Sequence, residues 1–340
     1  MEALLPGDRL DNFIIAGELH EGAMARIYRA RERLSGRDYA LKIPFDHIFD
    51  TPLIYYHFQN EERLAADLSH PHIVRFYTRN RAHPYSILDF IEGRDLRRHL
   101  DRSGPLPPDE VRRLGLQICG ALTYLHDRRI VHLDLKPENL MLSVRGAIRL
   151  IDFGLARHLD EGDPLATDFD MPRGTPAYAP PEILEGETGG VHSDLYSLGL
   201  VLYEMLTGRL PFERSTRLRT VKKRLYTPPA PPRRYRPDLS PHWQELLLTA
   251  LERQPADRFG SAAELAAALE HPEALTVTQR GRVAGRLQGW RPSLALGPWG
   301  RRHPKKAQER SPAPPPTRPR ILGAIVDDDH SDAVVEAVRR

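Results

Sequence analysis

At Gly93 the hydrophobic periodicity of the chain changes, and few folds accommodate such a change. Before it, short runs read as strands: FIIAGEL from Phe13, ARIYRARE from Ala25, DYALKIP from Asp38 and YSILDFI from Tyr85, with one helical stretch near FQNEERLAADL from Phe58. After it, Val111, Leu114, Ile118, Leu122 and Leu125 fall on one helical stripe, and DLYSLGLVLYEMLTG from Asp194 is apolar nearly all round, as a buried helix is. Gly208 stands where that helix should stop, and Ser261 followed by Glu264 predicts a capping box on a later helix. The pattern predicts a small sheet carrying one helix, followed by a larger helical body.

Inside the second part, VHLDLKPENL at 131–140 sets Asp134, Lys136 and Asn139 close together between apolar neighbours. Such spacing cannot form one face of a strand, and Pro137 argues against an uninterrupted helix, so a loop that aims several polar groups at one point is expected. Further on, RLIDFGLAR places Asp152 at the end of a short apolar strand beside Phe153 and Gly154. Carboxylate and amide oxygens there suit Mg²⁺. Upstream, Lys42 lies on the otherwise apolar strand DYALKIP, where a lone ammonium is costly unless it meets an anion, and Glu61 on the following helix is the candidate. Taken singly, Asp134 reads as a turn acid and Lys42 as a surface lysine. Their joint order argues for chemistry.

Together these residues resemble the eukaryotic-type serine/threonine protein kinases, most of all the bacterial members, over roughly residues 11–270. YALK matches the strand lysine, HLDLKPEN the catalytic loop, DFG the metal aspartate, GTPAYAPPE the end of the activation segment and HSDLYSLG the central helix; PADRFGSAAELAAAL supplies Arg258, the partner expected for Glu182. The resemblance implies an α+β, two-lobed fold with an N-lobe at about 11–88, a hinge at about 89–93 and a C-lobe at about 94–270. It implies ATP and Mg²⁺ as cofactors and protein substrates that carry Ser or Thr. A pseudokinase, the same fold binding nucleotide or partners without turnover, is the alternative class.

Carried over residue by residue, the resemblance implies that Lys42, held by Glu61, grips the phosphates of ATP while Asn139 and Asp152 hold Mg²⁺. Asp134 would accept the proton of the substrate hydroxyl, Lys136 would steady the transferring group, and Thr175 would shape the acceptor site. Leu88 falls at the gatekeeper position, Asp89 to Ile91 form the hinge whose backbone meets adenine, and Ile27, Ala40 and Met141 enclose the ring. The phosphate-covering loop keeps only Gly22, with His20 and Ala25 in place of flanking glycines, and His20 loses cheap access to positive φ. His132 is expected beneath Phe153, and Asp194 is expected to hold the backbone of the catalytic loop.

One departure from the family pattern concerns control. Leu133 occupies the position where regulated kinases carry an arginine that pairs with a phosphate on the activation segment. The segment from Asp152 to Glu182 offers only Thr167, Thr175 and Tyr178 as hydroxyls, and it already carries Asp160, Glu161, Asp163, Asp168 and Asp170. Activity independent of segment phosphorylation is therefore expected.

Charge divides the chain. Residues 280–320 carry a net +10 and residues 321–340 a net −3, which leaves −4 on residues 1–279 and gives no charge support to nucleic-acid binding by the main body. Residues 291–320 hold eight prolines and eight basic residues, so 271–340 reads as a largely disordered Pro/Arg-rich tail, a linker first and a contact for acidic or anionic partners second. The single cysteine, Cys119, sits among apolar residues and excludes an internal disulfide. No signal-peptide pattern and no transmembrane run occurs, which predicts a cytoplasmic protein.

Overall fold

A computed structural model describes residues 3–50, 52–79, 81–161, 175–212 and 221–282. The expectations for Thr167, Asp163, Asp168, Asp170 and the basic stretch beyond Arg282 lie outside the described residues.

The first lobe is an antiparallel sheet of five strands in sequential order, β1 (Arg9–Leu10), β2 (Phe13–Glu21), β3 (Ala25–Glu32), β4 (Asp38–Pro44) and β5 (Ser86–Asp89), with helix α1 (Pro52–Ala65) between β4 and β5. Strands β3 and β4 coincide with the predicted runs. The run from Tyr85 is shorter as a strand than its apolar character suggests, because the chain leaves the sheet after Asp89 to become the link between lobes. Phe13, Ile15, Tyr28, Tyr39, Leu41, Tyr85 and Ile87 bury one face of the sheet.

The second lobe opens with β6 (Gly93–Asp95), α2 (Leu96–Ser103) and α3 (Pro108–His126), followed by the short strands β7 (Ile130–Val131), β8 (Leu140–Ser143), β9 (Ile148–Leu150) and β10 (Arg157–His158). The predicted stripe on α3 is buried in full, from Val111 to Leu125. Helix α4 (Pro181–Leu184) leads into α5 (Val191–Thr207), which is buried along its length from Ser193 onward, as its all-round apolar sequence requires. Gly208 ends it in the left-handed region at φ 70°, with its N–H donating to Glu204 O. Gly199 permits close packing on this helix: a Cβ there would lie 2.9 Å from that of Ala250, on the helix Pro241–Ala250. Among the described residues, no helix is long and apolar enough to cross a membrane.

Two local expectations need correction. Ser261 caps the helix Ala262–Glu270 by accepting from Glu264 N–H at 3.1 Å, but Glu264 returns its carboxylate to the N–H of Gly260 at 2.6 Å, one residue earlier than a capping box would. The tail was expected to begin at 271, yet packed structure continues to Arg282. Arg280 donates to Glu245 Oε1 at 2.7 Å and to Thr249 Oγ1 at 2.9 Å and also pairs with Glu252, while Thr278 N–H donates to Glu245 Oε2 at 3.0 Å. Composition conceals this anchor because the basic residue looks like the first of the tail.

Candidate active site

Strand register sets the cleft side of the sheet. Ile27 pairs with Lys42, Lys42 with Ser86 and Ala40 with Leu88, so all five residues share the face opposite the small core. Leu88 is buried, Ile27 and Ala40 are half-buried, and Met141, half-buried on β8, adds a further apolar side chain from the second lobe. The Asp89 carboxylate accepts from Arg37 at 2.6 Å and from Tyr77 Oη at 2.8 Å, and its backbone N–H donates to Arg75 O at 3.0 Å. Ile91 packs against the larger core.

Lys42 donates to Glu61 Oε2 at 2.6 Å and lies 3.9 Å from Asp152 Oδ1, so strand, helix and loop meet at one ammonium. Burial alone would lower the Lys42 pKa, but Asp152 and Glu61 outweigh it and hold the ammonium above its ordinary value. Burial pushes the Glu61 carboxyl up to about 7, with Lys42 opposing the rise. Burial would also raise Asp152, but Lys42 and the Gly154 N–H hold it below the ordinary carboxylate range.

The polar loop does converge. Asp134 Oδ1 accepts from Thr175 N–H at 3.0 Å, and Asp134 Oδ2 accepts from Asn139 Nδ2 at 3.0 Å and lies 3.4 Å from Lys136 Nζ. Lys136 also donates to Thr175 Oγ1 at 2.7 Å, which ties the loop to the segment bearing GTP. Pro137–Asn139 forms a short 3₁₀ turn, so the proline ends the extended stretch and turns Asn139 back toward Asp134. Asn139 and Asp152 follow from strand pairing: Leu140 faces Leu150 across β8 and β9, and Ile151 N–H donates to Asn139 O at 3.1 Å.

The leftover oxygens fit a hard cation. Asn139 commits its amide hydrogens to Asp134 O at 2.8 Å and to Oδ2, which leaves its amide oxygen as an acceptor. Asp152 accepts from Gly154 N–H through Oδ1 at 2.9 Å and keeps a side chain that is 40% exposed. Oxygen donors of this kind suit Mg²⁺.

Gly22 is the site residue the fold requires least. It lies beyond β2 with no positive φ, and a Cβ on it would meet its nearest neighbours at 3.5 and 3.6 Å, which is ordinary contact. His20 belongs to β2 and pairs with Ile27, so the expected cost of positive φ does not arise there.

Contacts from behind the site fix these groups. Asp194, fully buried on α5, accepts from the N–H groups of His132 at 2.9 Å and Leu133 at 2.8 Å and contacts His126 Nε2 at 2.9 Å. The rings of His132 and Phe153 lie 5.3 Å apart and those of Phe153 and Phe76 6.4 Å apart, an aromatic column behind the site. Also on α5, Ser193 donates to Glu182, itself paired with Arg258 at 2.7 Å; Ser197 donates to Tyr178 O; and Glu204 accepts from Tyr178 Oη and Arg97.

His57, Asn60 and Arg63, on one face of α1, belong to none of the motifs visible in the sequence. All three contact the chain after Asp152. Their spacing of three beside Glu61 was the available signal, a polar stripe on a helix otherwise expected to bury its face.

A family profile described as protein kinase domain matches residues 13–272. A probable serine/threonine-protein kinase of Corynebacterium efficiens is 33% identical over 270 residues, 76% of this chain and 41% of the relative. The serine/threonine-protein kinase PknB of Mycolicibacterium smegmatis is 34% identical over 265 residues, 76% of this chain and 42% of the relative. The chain thus spans less than half the length of these curated relatives. Among solved structures, the kinase domain of Mycobacterium tuberculosis PknI superposes with a TM-score of 0.62 at 28% identity, covering 79% of this chain and 99% of that one.

Proposed function

Because this chain belongs to the protein kinase family, we propose that it is a serine/threonine protein kinase, transferring the γ-phosphoryl group of ATP to hydroxyls of protein substrates. The observation that carries the reading is the convergence on Asp134, whose two carboxylate oxygens are oriented by Thr175 N–H and Asn139 Nδ2 while Lys136 bridges to Thr175. A carboxylate so held can take the proton of an incoming hydroxyl, whose oxygen then attacks the γ-phosphorus as the bond to ADP breaks. Lys136 is placed to offset charge on the transferring group. Lys42, fixed by Glu61, would bind the α and β phosphates, with the face formed by Ile27, Ala40 and Leu88, joined by Met141, against adenine and the backbone of Asp89 to Ile91 as its hydrogen-bonding edge. Gly22 would contribute backbone near the phosphates.

Asn139 and Asp152 are the residues that would hold Mg²⁺, which when bound neutralises charge on the phosphate chain. Retention of every one of these groups argues against a scaffold without turnover. The bridge from Lys136 to Thr175 favours serine and threonine over tyrosine as acceptors. A cytoplasmic setting is part of the proposal and rests on the lone buried Cys119 and the apolar pattern of the sequence. The proposal keeps a kinase domain over about residues 11–270, with the stretch to Arg282 packed against it through Thr278 and Arg280.

The test is incubation of the purified chain with labelled ATP, Mg²⁺ and a generic acceptor protein, beside an Asp152→Ala control. Label on serine and threonine with wild type, and none with the control, is the expected result. No incorporation by wild type would overturn the reading.

A further inference from the structure

Helix α1 faces the chain after Asp152 through residues outside the nucleotide machinery. His57 Nδ1 lies 2.8 Å from Gly154 O, so that nitrogen must carry the proton to donate. Asn60, 6% exposed, donates from Nδ2 to Ala156 O at 2.9 Å. Arg63 donates to both carboxylate oxygens of Glu161, at 3.0 and 2.8 Å, and from Nη2 to Asn60 Oδ1 at 2.8 Å. A continuous chain of hydrogen bonds thus runs from Glu161 through Arg63 and Asn60 to Ala156 O, and its middle member is the neighbour of Glu61. The next acid, Asp160, accepts from Arg129 Nη2 at 2.6 Å, just ahead of the catalytic loop.

Two consecutive carboxylates of the segment therefore meet two arginines, one from each lobe. The position that would offer a third cation to a phosphate is closed: Leu133 is 8% exposed, and a Cβ on Gly189 would lie 3.0 Å from its Cδ2. Arg157 donates from Nη2 to Gly189 O at 2.9 Å. Both ends of the Arg63–Glu161 pair are 49% exposed, so its contribution to global stability is small, and its effect is to be sought in the setting of α1.

We propose that Glu161 and Arg63 form a positioning pair that, through Asn60, holds α1 where Glu61 reaches Lys42, with Asp160 and Arg129 fixing the other side of the same turn. The link between α1 and the chain at Glu161 needs no phosphate, so the setting of α1 is expected not to depend on modification. This deepens the kinase reading above and rests on it. A pair of this exposure shifts a two-state equilibrium of the helix by about two- to fivefold.

The experiment uses the full chain as wild type, Arg63→Ala, Glu161→Ala and the double variant Arg63→Ala/Glu161→Ala, each with and without phosphatase treatment. Each single variant should lower kcat/KM for ATP two- to fivefold at unchanged Tm, and the double variant should lose no more than Arg63→Ala alone, because the two residues act as one unit. Phosphatase should leave wild-type kcat within twofold. Amide hydrogen exchange of residues 55–65, read without turnover, should rise in the single variants and rise no further in the double variant. Single variants indistinguishable from wild type in both rate and exchange would overturn the pair, as would losses that multiply in the double variant, or a loss of tenfold or more on dephosphorylation. If wild type transfers no phosphate, the kinase reading fails and the exchange data alone decide the pair.

Discussion

The backbone N–H of Leu133 donates to Asp194 Oδ1 at 2.8 Å, and Leu133 adopts φ 62°, a left-handed conformation that a leucine does not take unless its surroundings impose it. Asp194 is fully buried, and burial would raise its pKa, but the His126 contact and the backbone donors hold it below the ordinary carboxylate range. Asp194→Ala would orphan these buried donors and release the strained turn. We expect a loss on the order of 3–5 kcal/mol in denaturant unfolding and no measurable phosphate transfer. An activity above a tenth of wild type would show that the catalytic loop keeps its shape without this carboxylate.

Lys42→Met and Asp134→Asn should each abolish transfer while leaving the fold intact, for different reasons. The first removes the phosphate contact and should weaken ATP binding. The second removes the proton acceptor and should leave ATP affinity within about threefold, since Asp134 is assigned to the hydroxyl and not to the nucleotide. Turnover near wild type in either variant would contradict the mechanism.

Glu61 predicts a pH dependence. With its carboxyl pushed up to about 7, it takes up a proton as pH falls through that value, and Lys42 then keeps only Asp152 as a counter-charge. The kcat/KM for ATP should therefore show an acid limb centred near 7, and Glu61→Gln should be slower and lack that limb. Stability runs the other way: a carboxyl that holds its proton more tightly when folded contributes stability fully below its unfolded value of about 4.5, and this is lost as pH rises toward 7. A limb below pH 5 would assign the titration to another group.

The C-terminal anchor separates two truncations. Ending the chain after Arg282 should leave Tm within about 2 °C, whereas ending it after Val277 removes Thr278 and Arg280 from Glu245 and Glu252. Burial raises the Glu252 carboxyl, so its loss of Arg280 is costly. We expect a cost of about 1–2 kcal/mol, or roughly 2–4 °C for a domain of this size, read by differential scanning calorimetry. Equal melting temperatures would show that the segment adds nothing.

Much of this was legible in the sequence because it rests on short-range patterns. The β3 and β4 strands, the stripe on α3 and the stop at Gly208 follow from periodicity and local backbone preference, and the pairing of Arg258 with Glu182 follows from the family resemblance. What escaped depends on contacts between distant residues. Arg280 reads as one more basic residue until Glu245 and Glu252 are beside it, and Glu264 selects Gly260 over Ser261 through a geometry that spacing does not encode. His20 is the opposite case: its place in the glycine pattern suggests a loop, but it pairs with Ile27 in a strand.

Helix α5 has a consequence for the order in which the molecule can open. Its side chains hold the catalytic loop through Asp194, the acceptor segment through Ser197 and Glu204, and the buried Glu182 through Ser193, all from one rod with no solvent-facing side beyond its first turn. None of those loops can detach while keeping its partners, and the rod cannot fray without exposing the centre of the lobe. Its amides should therefore lie at the most protected end of the exchange spectrum, opening only with global unfolding, whereas α1, fastened along one face, belongs to a less stable unit. Asp134 and the helix that carries Glu61 would then belong to different cooperative units, so that motion can occur in the first lobe while the loop bearing Asp134 stays fixed.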